Sequence, residues 1–143
     1  MVTIISVLLF LIFVFLSSIH IYWAFGGKWG RDAVFPTKDD LESSIMPGFV
    51  PTMIVAIGLL MMGVFVVNKT TLHFVELPFW IDKYGLWFIA GIFLIRGVGD
   101  FRYAGIFKKV RNTKFGINDT KYYTPLCFLI GSLTIIIAIM EMN

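Results

Sequence analysis

From Val2 to Phe25 the chain carries no Asp, Glu, Lys or Arg, and His20 is the only side chain there that titrates near neutral pH. About 20 apolar residues suffice for a helix to cross a hydrocarbon core of roughly 30 Å, so this run is long enough to span a membrane. A cleaved signal peptide would want a basic start and a shorter apolar centre. The first Lys or Arg is Lys28, so the run reads as a retained span. Charged residues make up 15% of the chain, against about 25% in soluble domains, and they cluster between long uncharged runs. That segregation predicts an all-α fold: a polytopic transmembrane four-helix bundle forming one integral membrane domain over residues 1–143. The expected spans are about 2–25, 49–67, 84–103 and 124–140.

The connections carry their own signals. Gly26, Gly27 and Gly30 should end the first helix. Thr37 can cap a short surface helix over Lys38 to Ser44, which makes Asp39, Asp40 and Glu42 a solvated helix end rather than a metal site. Pro47 and Pro51 mark the start of span two, where Gly58 and Gly63 offer small surfaces to a neighbouring helix. Asn68 to Lys83 reads as a connection whose aromatic residues, with Tyr84 and Trp87, suit a membrane interface.

Span three is the awkward one. Its uncharged stretch, Tyr84 to Ile95, covers only about 18 Å as a helix, so the helix is expected to carry Arg96 and Asp100 into or beside the membrane. Four residues apart, those two would share a helical face and neutralise each other, with Tyr103 and Phe107 continuing the face as an amphipathic extension. Span four is expected to start with Thr124 as N-cap and Pro125 as the first helical residue, with Asp119 just before it.

Positive residues predict the orientation. Loops one and three hold ten of the twelve Lys and Arg residues and loop two holds Lys69 and Lys83, so both termini should lie outside, N-out/C-out. The run Lys108, Lys109, Arg111 and Lys114 serves as an orientation signal and is placed to meet anionic lipid headgroups. The net charge of +3 therefore belongs to loops, and calls for no nucleic acid.

With that topology His20, Trp23, Trp29, Arg31, Arg96, Asp100, Arg102, Tyr103 and Asp119 all fall near the cytoplasmic end of the chain's helices. They form a candidate ligand-binding cluster if they converge on one polar, aromatic-lined pocket. The competing reading is structural: an interfacial histidine, a helix-packing lock and a belt of aromatic residues. No phosphate-binding Gly-rich loop, nucleophile elbow, zinc-protease motif or Cys-X-X-Cys occurs. The lone Cys127 reads as a buried thiol, the two histidines fall on opposite sides, and no metal or cofactor is expected.

The string HIYWAFGGKWG at His20 to Gly30 resembles a family of small bacterial four-span membrane proteins catalogued as a domain of unknown function. So do RGVGDFRYAG at Arg96 to Gly105, and Phe115, Asp119 and Thr124-Pro125-Leu126. The likeness runs from span one to span four and implies a bacterial cell membrane, but it brings no substrate or catalytic residue.

Three functions remain open. The favoured one is binding or passage of a small or amphipathic ligand at the inner leaflet, which in so small a protein would need a homo-oligomer. An interaction or immunity-type protein would use outward loop two, with Phe74, Phe79 and Trp80. An enzyme on a lipid-like substrate would use His20 or Asp119 as acid or base, with Arg96 and Arg102 on an anionic headgroup.

Overall fold

The computed structural model describes residues 1–30, 48–99, 105–107 and 114–142, and every regular element among them is helical. Helix α1 is Val2–Ala24. Helix α2 is Phe49–Val67 and runs on through a π-helical turn at Asn68–Leu72. Helix α3 is Phe79–Val98. Helix α4, Lys114–Met140, contains a π-helical turn at Asp119–Tyr123.

Helices α1, α4 and the full Phe49–Leu72 length of α2 are each long and apolar enough to cross a membrane. α3 spans 20 residues, about 30 Å, but carries Asp82, Lys83 and Arg96. Side-chain polarity is distributed opposite to that of a water-soluble fold. Phe15, Phe88 and Ile95 are more than 60% exposed, while Ser6, Ser17, Thr52 and Thr134 are buried. Each of these four hydroxyls finds a carbonyl. Ser6, Thr52 and Thr134 donate four residues back along their own helices, to Val2, Gly48 and Ile130. Ser17 donates across to Ala56 of α2 at 2.8 Å. A chain whose backbone and inward hydroxyls are satisfied internally can present an apolar surface to lipid.

The helices pair in antiparallel fashion, α1 with α2 and α3 with α4. Gly63 lets α1 approach, since a Cβ there would lie 2.9 Å from the Cβ of Phe13. Gly58, expected to do the same, faces nothing within 4 Å. On the other pair, Gly97 sits under the ring of Phe128 and Gly131 under Leu94. Phe13 of α1 meets Phe93 of α3 edge-on at 5.5 Å, and Leu9, Val66, Leu86, Ile130 and Ile137 complete a shared core that also holds Cys127.

Several element boundaries differ from expectation. The connection after α2 shrinks to residues 73–78, because the π-helical turn extends α2 and α3 starts at Phe79 behind Pro78. The short loop is clamped by Asn68, whose amide exchanges two 3.0 Å hydrogen bonds with the Val75 backbone. α3 stops at Val98, because Gly99 takes φ 93° and ψ −177°, a conformation open essentially to glycine alone. Phe107 lies in a turn rather than on a continuation of α3, and Asp100, expected on the face of Arg96, lies outside the described residues. α4 starts at Lys114, not at Thr124, and Thr124 has helical angles in mid-helix rather than those of an N-cap. The widened turn precedes Pro125, whose ring and missing N–H would disrupt the carbonyl four residues back in a regular α-helix. The surface helix expected over Lys38 to Ser44 lies outside the described residues.

Candidate functional site

Asp119 is completely buried and organises the end of the molecule where α3 finishes and α4 begins. Arg96 Nη2 donates to its Oδ1 at 3.0 Å, while the Gly105 amide and the Thr124 hydroxyl donate to Oδ2 at 2.8 Å and 3.1 Å. The π-helical turn explains the last bond. Its hydrogen bonds run from residue i to i+5, so Thr124 stacks over Asp119, which a regular α-helix would turn away from it. Arg96 lies in the last turn of α3, where a cation complements the helix dipole. Its side chain is 38% exposed, yet Nη1 is buried and makes no hydrogen bond among the described residues.

Beyond α3, Gly105 and Ile106 lie back against this end of the molecule, and the Ile106 amide bonds the Gly97 carbonyl at 3.1 Å. Gly105 has φ 85°, and a Cβ there would collide with the Val98 carbonyl and the Gly99 backbone. Two glycines thus let the chain leave α3 sharply and return its backbone to Asp119.

A second group forms on α1. The Nδ1–H of His20 donates to the Leu16 carbonyl at 2.7 Å, since a carbonyl can only accept. The imidazole stands edge-on to Trp23, with 5.2 Å between centroids. Trp23 is buried and donates from Nε1 to the Trp29 carbonyl at 2.9 Å. The Trp29 amide in turn donates to the Tyr22 hydroxyl at 3.3 Å, which holds the Gly26–Gly30 turn over the end of the helix.

Of the nine residues expected to cluster, His20, Trp23 and Trp29 therefore share one network and Arg96 and Asp119 another. Arg31, Asp100, Arg102 and Tyr103 lie outside the described residues. Gly105, Thr124 and Tyr22 were not foreseen as participants. The five-residue step from Asp119 to Thr124 was the one available clue, and it has meaning only once a π-helical turn is known. Chemically, the Arg96–Asp119 group offers an anchored guanidinium with donor capacity to spare.

Comparison with known proteins gives one match. The family model "Protein of unknown function (DUF3995)" covers residues 13–134, which include α2, α3, about half of α1 and most of α4. No curated protein and no solved structure matches the chain.

Proposed function

The chain belongs to the DUF3995 family, whose function is unknown, and from its own geometry we propose that it is a four-span bacterial membrane protein that binds a small or amphipathic anion at the inner leaflet. One observation carries the proposal. Arg96 is pinned through Nη2 by a buried carboxylate, while Nη1 is buried without an acceptor among the described residues. A buried charged donor left unpaired costs about 1–3 kcal/mol or more, and a phosphate or carboxylate oxygen is the acceptor that removes that cost. Asp119 acts as a positioning residue, fixing the fork of the guanidinium and tying it to the third loop.

α3 is the fourth span in this proposal, with its C-terminal Arg96 reaching the interface. The charge count of ten against two supports N-out/C-out, with the Arg96 end inside, in the bacterial cell membrane. The basic run Lys108 to Lys114 then adds attraction for anionic lipid headgroups at the same end. Passage of a ligand, as opposed to its binding, requires a homo-oligomer, since one copy has few helices to enclose a path.

Native mass spectrometry of the protein released from mild detergent, beside an Arg96→Gln variant, tests the proposal. An anionic adduct on the native protein that is lost from a folded Arg96→Gln variant is the expected result. Adduct-free spectra from both proteins would reduce the Arg96–Asp119 pair to a packing lock. An interaction protein is the second reading, favoured by the exposed aromatic surface of Phe74, Phe79 and Trp80 at the opposite end, each more than half exposed. Exchange of residues 73–80 with loss of phenotype and retention of the adduct would support it.

A further inference from the structure

A groove of about 390 Å³ runs along the outer face of α1, lined by Phe15, Ser18, Ile19, Tyr22 and Trp29. The four helical residues are spaced i, i+3, i+4 and i+7, so they form a single stripe, about 10 Å from end to end. Trp29 supplies the far wall. It reaches the stripe because Gly26 turns the chain at φ 85° and because Gly27 lies flat against the Tyr22 ring, where a Cβ would collide. The Trp29 backbone is then held from both sides, by Tyr22 and by Trp23, while its side chain stays largely exposed. The groove is thus walled by an indole whose backbone is fixed in place.

Its chemistry is apolar along its length. The two hydroxyls of the stripe are already engaged: Ser18 donates to the Val14 carbonyl at 2.8 Å, and Tyr22 accepts from the Trp29 amide at 3.3 Å. The mouth differs. Lys28 precedes Trp29 in the chain and makes no hydrogen bond or ion pair among the described residues. An apolar slot that continues the exposed Ile4, Leu8 and Leu11 surface of a membrane-long helix, with an exposed lysine one residue before its Trp29 wall, suits a ligand with a hydrocarbon tail and an anionic head.

We infer that this groove is a lipid site: it takes one acyl chain of an anionic glycerophospholipid, with Trp29 against the chain and Lys28 on the phosphate. The inference rests on the membrane reading above but not on the Arg96 site, which uses other residues on other helices.

Phosphatidylglycerol carrying a photoreactive diazirine in its acyl chain, incorporated with the protein in lipid nanodiscs, tests it. Peptide mapping after illumination should place the adducts on residues 15–29, in excess over residues 4–11 of the same exposed face. Ser18→Trp fills the groove from an exposed position, and excluding even two methylenes should lower labelling about tenfold. Trp29→Ala, which removes the wall without occupying the groove, should lower it too, and Lys28→Gln should erase any preference over a phosphatidylcholine probe. Labelling spread evenly from residue 4 to residue 22, or unchanged in both Ser18→Trp and Trp29→Ala, would overturn the inference. So would adducts on this face that are displaced by a second copy of the chain. Arg96→Gln should leave the labelling intact, so the groove and the Arg96 site fail separately: one by even labelling, the other by an unchanged adduct.

Discussion

Replacing Asp119 by Asn keeps the shape of the side chain and removes its charge, which isolates the electrostatic part of the Arg96 lock. The amide NH₂ must then take one of two oxygen positions. At Oδ1 it faces Arg96 Nη2, and at Oδ2 it faces the Gly105 amide and the Thr124 hydroxyl, so a donor meets a donor either way. Removing one partner of a buried ion pair costs about 3–5 kcal/mol. The lower end applies here, because Arg96 is 38% exposed and partly screened although Asp119 is fully buried. A loss of about 3 kcal/mol, roughly 150-fold in the folding equilibrium, is expected. Unfolding by sodium dodecyl sulfate in mixed micelles, followed by tryptophan fluorescence, measures it. A double-mutant cycle with Arg96→Met should give a coupling of at least ~1.5 kcal/mol, because the two groups share one bond. Loss of less than ~0.5 kcal/mol in Asp119→Asn, with coupling near zero, would refute the assignment of Asp119 as the organiser of this end.

Other perturbations test the packing and the backbone. Gly63→Ala forces the new methyl onto Phe13 and should cost about 1–3 kcal/mol, whereas Gly58→Ala meets no neighbour and should be neutral or gain up to ~1 kcal/mol of helix propensity, by the same unfolding assay. Gly105→Ala combines a left-handed conformation with a collision against the end of α3. It should destabilise by at least ~2 kcal/mol and expose the third loop to trypsin, read by gel. Ser17→Ala removes the hydroxyl that donates to Ala56 across α1 and α2 and should cost only about 0.6–1 kcal/mol, since a methyl leaves a carbonyl that is already bonded within its helix. Reporter fusions at the C-terminus should signal from outside the cell, and a cytoplasmic signal would overturn the inner-leaflet placement of Arg96.

What the sequence alone decided about this protein is whatever depends on the composition of a continuous segment. Uncharged runs such as Val2 to Phe25 are legible because the free energy of burying a helix in hydrocarbon is nearly a sum over its residues, whatever their neighbours do. The choice of Arg96 and Asp119 as notable groups was also readable, since charges beside apolar runs are costly and few. Their pairing was not. Arg96 and Asp100 are four apart in sequence, and only the positive φ of Gly99 shows that the helix ends between them. Asp119 is 23 residues away, and it reaches Arg96 because α4 begins at Lys114 and packs antiparallel to α3 through Gly97 and Gly131. Thr124 reads as an N-cap by residue type, yet a π-helical turn puts it in mid-helix as a donor to Asp119. Gly58 and Gly63 look alike in the sequence, but only Gly63 faces α1. Each of these depends on where a helix stops, widens or rotates. Those choices are made by contacts between segments distant in the chain, and so tertiary structure decides them.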